Sequence, residues 1–237
     1  MIKKLLARLY RPAVALSAEQ QARLELLRQK ISVKCNADLA RDRIVVVDVE
    51  TSGLSLAGDH LLAIGAIGIH AGHIVFADNF DVLLRQEVTS DKANILVHGI
   101  GGTAQRTGLP PEEALLAFLE YLDGAPLFAF HVFFDETMLR KAYRKFLGID
   151  FRHTWADLAY LLPDFFPQYA KKNRALDDWL KSFSIVNEAR HNASADALAT
   201  AQLGLMALRS ARLKRAINFK SLQEMEQARR WLSAARY

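Results

Sequence analysis

The chain lacks most of what stabilises a fold from outside its own core. Its 237 residues include a single cysteine, Cys35, which excludes an internal disulfide and is read as a reduced, packed thiol. No cluster of cysteine and histidine has zinc-ligand spacing. No internal repeat or low-complexity tract is visible. No segment reaches the roughly 18 apolar residues of a membrane span. The start, Met1-Ile2-Lys3-Lys4-Leu5-Leu6, has the flavour of a signal peptide, but Arg8 and Arg11 interrupt its apolar run. These absences predict a protein without a membrane span in a reducing, cytoplasmic compartment, and they leave the oligomeric state open.

What is present is a large apolar fraction and an uneven charge. A hydrophobic content of 51% fills a sizeable core, so one large α/β domain with extensions is expected. The net charge of +5 hides a division. Residues 1–43 carry ten Lys/Arg against four Asp/Glu, and residues 205–237 carry eight against two. The intervening 161 residues have thirteen against twenty. An acidic body thus lies between two basic arms, with expected boundaries of 1–42, 43–208 and 209–237. Excess carboxylate suits a metal site, and basic arms suit phosphate contacts; solvated amphipathic helices explain the arms equally well.

Ser17 followed by Gln20 forms a capping-box start, and Leu24, Leu27 and Ile31 recur at helical spacing, which predicts a helix over 17–34. Arg43 to Asp48 reads as a buried strand. Leu61 to His70, the turn Ala71-Gly72, and His73 to Leu84 extend it into an antiparallel meander. Pro110-Pro111-Glu112-Glu113 starts a helix reaching about Leu122. Strand four is expected over Pro126 to Phe130, with helices over Glu136–Phe146, Trp155–Leu161, Leu176–Phe183, Ala193–Lys214 and Leu222–Ala234. Gly99, Gly101 and Gly102 read as loop residues, and Trp155, Phe165, Phe166 and Tyr169 as aromatic cover for the sheet. A helical crossover lets strand four lie parallel to strand one, so the fold class is α/β with a mixed sheet flanked by helices. Ligands in such sheets favour the edge at the strand C-termini.

That edge is where the chemistry gathers. Asp48 and Glu50 end a strand two residues apart, and side chains at i and i+2 share a face. Two adjacent anions need a cation or a shared proton, which suggests a divalent metal. Asp135 follows strand four at the same edge, Asp196 lies one turn into the long helix, and His191 precedes it by five positions. Singly, each has an ordinary explanation: a helix cap, a dipole partner, a loop histidine.

As an ordered set, Asp48-Val49-Glu50-Thr51-Ser52-Gly53-Leu54, Phe134-Asp135, and His191 followed by Asp196 and Ala197 resemble the three motifs of the DEDDh 3′→5′ exonucleases, the family of epsilon-like proofreading subunits of bacterial DNA polymerase III. The likeness spans about Ile44 to Leu208 and includes Val97-His98-Gly99-Ile100. It implies a ribonuclease H-like sheet of about five strands. It also implies Asp48, Glu50, Asp135 and Asp196 as ligands of two Mg²⁺ or Mn²⁺ ions, and His191 as general base. The implied reaction is hydrolysis of the terminal phosphodiester of single-stranded DNA or RNA, DNA favoured, to nucleoside 5′-monophosphates. A polymerase or another replication or repair protein is an implied partner.

Two positions depart from the pattern. Relatives often carry His-Asn where Phe130-His131 stands, and glutamate where Ala63 stands. Both departures bear on substrate positioning rather than on the five core residues. Thr51, Leu54, Ile100 and Phe134 are candidates to hold the terminal nucleotide, with core packing the alternative for Leu54 and Phe134. The alternative function is an inactive ribonuclease H-like scaffold that binds nucleic acid or a polymerase. Gln202-Leu203-Gly204-Leu205-Met206 resembles a sliding-clamp peptide, but it falls within an expected helix whereas such peptides need an extended backbone.

Overall fold

A valine-rich strand, β1 (Arg43–Thr51), forms the centre of the fold in a computed structural model that describes residues 15–28 and 36–234. Val45, Val47 and Val49 enter one apolar cluster, while Ile44 and Val46 enter another on the opposite face. The strand is therefore covered on both sides, which is why it reads as an unbroken apolar run. β2 (Leu61–His70) and β3 (His73–Leu83) follow as antiparallel partners. Ala71 and Gly72 join them with φ of 48° and 78°, as a two-residue hairpin requires. β4 (Leu127–Ala129) lies parallel to β1, and β5 (Trp155–Asp157) parallel to β4. The order β3-β2-β1-β4-β5 is the ribonuclease H-like mixed sheet expected from the sequence.

The helices are α1 (Ala18–Arg28), α2 (Lys92–His98), α3 (Gly102–Thr107), α4 (Pro111–Leu122), α5 (Val132–Leu147), α6 (Leu158–Phe165), α7 (Leu176–Ser182), α8 (Ala193–Leu213) and α9 (Phe219–Ala234). The capping box of α1 is closed in both directions: the Gln20 amide donates to Ser17 Oγ at 3.1 Å, and the Ser17 amide to Gln20 Oε1 at 2.9 Å. The remainder of the expected 17–34 helix, Cys35 and the Met1–Leu6 start lie outside the described residues.

Several boundaries differ from expectation, each for a local or tertiary reason. The glycine-rich stretch after β3 contains α2 and α3: Asp91 accepts the Asn94 amide at 2.8 Å, and Gly99 ends α2 at φ 69°. Trp155–Asp157, expected as helix, is a strand because β4 offers it a parallel partner, so Trp155 belongs to the sheet rather than covering it. Phe165 lies in the cluster under the sheet, with Phe166 and Tyr169 packed against it. α5 starts four residues before its expected position, and α9 three residues before. α8 ends at Leu213, one residue before its expected end. Leu203 of the clamp-like stretch is fully buried within it.

The described parts of both arms pack on the body. Leu24 and Leu27 of α1 enter a core cluster, and Arg23 pairs with Glu113 and Glu120 of α4 at 2.7 and 2.9 Å. Phe219 and Leu222 of α9 enter the other cluster. The arms also meet each other: the Leu39 amide donates to the Ile217 carbonyl at 3.1 Å, and the Phe219 amide to that of Ala37 at 2.9 Å. Among the described residues no helix is long and apolar enough to cross a membrane.

Candidate functional site

Strand alternation puts Asp48 and Glu50 on the face that Ile44 and Val46 share, the face covered by α8. Asp48 stands opposite Gly65 on β2. A Cβ on Gly65 would lie 2.2 Å from the Ala193 backbone and 2.3 Å from that of Ser194. A bare α-carbon there lets the start of α8 press onto the sheet, and Asp196 in its first turn is carried over the strand carboxylates. One ligand atom from each of Asp48, Glu50 and Asp196 lies within 4.8 Å of the others. The β1–β2 register shifts between Glu50 and Thr51, an irregularity of the kind that re-aims side chains beside a site.

Asp135 sits in the first turn of α5, buried, and outside this trio. It still acts on the trio electrostatically. Burial, then the charges of Asp135, Asp196 and Glu50, push the Asp48 carboxyl well above the usual range. Burial and Asp196 push Glu50 up to about 8, with Arg190 opposing. Asp135 is also raised, by burial and by the charge of Asp157. The cluster therefore holds more negative charge than its surroundings stabilise, and all its donor atoms are oxygen. That donor set suits a hard divalent cation such as Mg²⁺ or Mn²⁺.

Asp196 is held on three sides. Asn187 Nδ2 donates to it at 2.5 Å, the His191 amide at 3.1 Å, and the Arg190 guanidinium pairs with it directly. Arg190 also donates to Asp177 at 2.5 Å. His191 is exposed at φ 62°, a left-handed conformation, and lines the same cleft as the carboxylates.

The cleft has a volume of about 460 Å³ and brings together Asp48, Glu50, Thr51, Leu54, Phe134, His191 and Asp196. Leu54 is 87% exposed at its rim, so core packing does not account for it. Ile100 is not part of the lining; Val97 and His98 of the same segment are. The Ile100 amide instead donates to His98 Nδ1 at 3.0 Å. His98 is 6% exposed, burial lowers its pKa, and its Nε2 has no partner among the described residues. With Nδ1 accepting, Nε2 carries the proton as a free donor.

Sequence reasoning missed Arg190, Asn187, His98 and Asp157. Arg190 abuts the histidine that drew attention, and a cation next to an acidic cluster is a usable signal. Asp157 carries a cap pattern, accepting the Ala159 amide at 2.9 Å. Its bonds to the His131 and Val132 amides, at 3.0 and 3.2 Å, join segments 25 or more residues apart and leave no local trace.

Comparison with known proteins gives the chain a family and its fold solved relatives. The exonuclease family model named for RNase T matches residues 45–203. Relatives include the DNA polymerase III PolC-type of Caldanaerobacter subterraneus subsp. tengcongensis, 30% identical over 181 residues, and that of Thermotoga maritima, 28% identical over 182. The alignments cover 76% and 77% of this chain but 12% and 13% of those relatives. Among solved structures, E. coli exonuclease I in complex with a dT13 oligonucleotide superposes with a TM-score of 0.60 at 16% identity, over 74% of this chain and 43% of that one. Exonuclease X in complex with 5′ overhanging duplex DNA gives 0.60 at 15% identity, over 77% and 99%. At such identities the likeness is one of fold. The motif residues, the sheet that carries them and the match over 45–203 lead to one conclusion: the chain belongs to the RNase T family of exonucleases.

Proposed function

We propose that this chain is a metal-dependent 3′→5′ exonuclease that removes terminal nucleotides from single-stranded nucleic acid, DNA favoured, and releases nucleoside 5′-monophosphates. The observation that carries the reading is the convergence of Asp48, Glu50 and Asp196 within 4.8 Å at the base of an open cleft. These three, with Asp135 behind them, would hold two Mg²⁺ or Mn²⁺ ions. Such ions supply charge stabilisation to both the attacking and the leaving oxygen of an in-line displacement.

The remaining work falls to side chains. His191, which lines the cleft, takes the proton of the attacking water as general base. Thr51, Leu54 and Phe134 hold the terminal nucleotide, with Leu54 presenting an apolar edge to a base. The relatives named polymerase III support a role near replication, and the oligonucleotide in the exonuclease I complex supports a single-stranded substrate.

Hydrolysis of 5′-labelled single-stranded DNA and RNA oligomers, with Mg²⁺ or Mn²⁺ and with EDTA, tests the reading on wild type, Asp48→Asn and His191→Asn. Metal-dependent shortening from the 3′ end, abolished by Asp48→Asn, is expected. The alternative, an inactive binding scaffold, is favoured by the Arg190 guanidinium already neutralising Asp196. Oligomer binding without any metal-dependent shortening would establish the scaffold and overturn the enzyme.

A further inference from the structure

The edge strand β5 is clasped by the C-terminal helix. Gln223 Nε2 donates to the Trp155 carbonyl at 2.9 Å, and Glu226 accepts the Asp157 amide at 2.8 Å. α9 thereby covers an edge that would otherwise be open. From the same helix, Arg230 donates to Asp157 Oδ2 at 2.9 Å and to Glu226 Oε1 at 2.6 Å. Its guanidinium lies 3.9 Å from the Tyr160 ring centroid. Three contacts thus fix one arginine in a single orientation.

Asp157 is 2% exposed and accepts four N–H bonds: from His131, Val132, Ala159 and Arg230. Arg230 brings a full positive charge to that buried carboxylate at 2.9 Å. The two amides held by Asp157 open α5. His131 sits there at φ 66° with no side-chain cap of its own, a conformation that persists only where its surroundings over-determine it. Asp135 follows within the first turn.

We propose that Arg230 is a positioning residue for the carboxylate site: by holding Asp157 it fixes the start of α5 and so the place of Asp135. The proposal rests on the metal-site reading above and extends it to residues beyond the matched 45–203. The C-terminal arm is then a brace of the site through its arginine, whatever its other charges contact.

The test uses the full chain carrying Arg230→Ala, Arg230→Lys and, as a charge control on the same helix, Lys220→Ala. Free Mn²⁺ is followed by electron paramagnetic resonance without substrate, and amide exchange is followed at His131 and Val132 without metal. Arg230→Ala is expected to weaken Mn²⁺ binding by about 10- to 100-fold, the usual cost of removing a group that orients metal ligands. It should also speed exchange at His131 and Val132 and lower kcat with KM unchanged. Arg230→Lys restores most of each, and Lys220→Ala changes none. Should Arg230→Ala not fold, Arg230→Gln keeps a donor to Asp157 without the charge and takes its place. Unchanged Mn²⁺ affinity and unchanged exchange in the alanine variant would overturn the proposal, as would a rise in KM alone, which would make Arg230 a substrate contact. Wild type that binds no Mn²⁺ would overturn the metal reading instead, while the metal-free exchange measurement still tests the brace.

Discussion

His191 contributes two separable things to the cleft. Its backbone N–H supports Asp196 whatever the side chain is, whereas the residue also lines the cleft. His191→Asn suits the left-handed φ of 62° and keeps that amide bond while removing the base. It should lower kcat by about 10²- to 10⁴-fold with Mn²⁺ affinity unchanged; equal kcat in single-turnover assays would remove His191 from the chemistry. His131 makes a related case at φ 66°. Valine in a left-handed conformation costs about 1–2 kcal/mol, so His131→Val should destabilise by that amount in urea titration while His131→Asn stays near wild type. Asp48 and Glu50 were legible as a pair because strand alternation puts them on one face, and the resemblance to the exonuclease motifs added Asp135, Asp196 and His191. Arg190, Asn187 and Asp157 were not, because each acts on a residue that only folding brings near.

At the level of elements, the site depends on how closely α8 approaches β2. Gly65→Ala places a methyl group 2.2 Å from the Ala193 backbone, where no side chain can yield. The helix must move, at a cost of about 1–3 kcal/mol. Asp196 moves with it, so Mn²⁺ binding should fall in Gly65→Ala even at temperatures where circular dichroism reports a folded protein. Retained Mn²⁺ affinity would show that the close approach does not set the cluster. The same scale explains the boundaries that sequence reasoning misplaced. α5 opens at Val132 because Asp157 supplies the cap that the local sequence lacks, and β5 is a strand because β4 is there to pair with it. By contrast, the hairpin at Ala71-Gly72, the proline start of α4 and the capping box of α1 rest on neighbouring residues and were read correctly.

For the molecule as a whole, two groups of carboxylates pull stability in opposite directions with pH. Asp78 is lowered to about 2 by its hydrogen bonds from Arg43, with His70 adding to them against burial. Asp150 is also lowered to about 2: burial opposes this, and Arg152, Arg144 and Arg140 outweigh it. A lowered pKa gives stability that is present above the unfolded value of 3.8 and lost as pH falls toward 2. Glu50 behaves in the opposite sense. Raised from 4.5 to about 8, it binds its proton more tightly when folded, so its contribution is lost as pH rises through that window. Asp48 and Asp135 shift the same way. In EDTA the melting temperature should therefore peak at about pH 4–5 and fall toward 8. Saturating Mn²⁺, which binds the deprotonated carboxylates, should lift the alkaline side most. Calorimetry from acid to alkaline pH checks both, and a metal-free melting temperature that climbs steadily to pH 8 would contradict the electrostatics of the cleft. The sequence by itself determined the antiparallel meander, the shared face of Asp48 and Glu50 and, through the resemblance of its ordered motifs, the family, because these follow from hairpin chemistry, side-chain alternation and the order of short motifs along the chain. The tertiary structure alone decided that Gly65 admits α8, that Arg190 neutralises Asp196, and that a C-terminal helix braces β5 and the start of α5. Those contacts join residues far apart in the chain, and their energies come from burial and pairing that no local window contains.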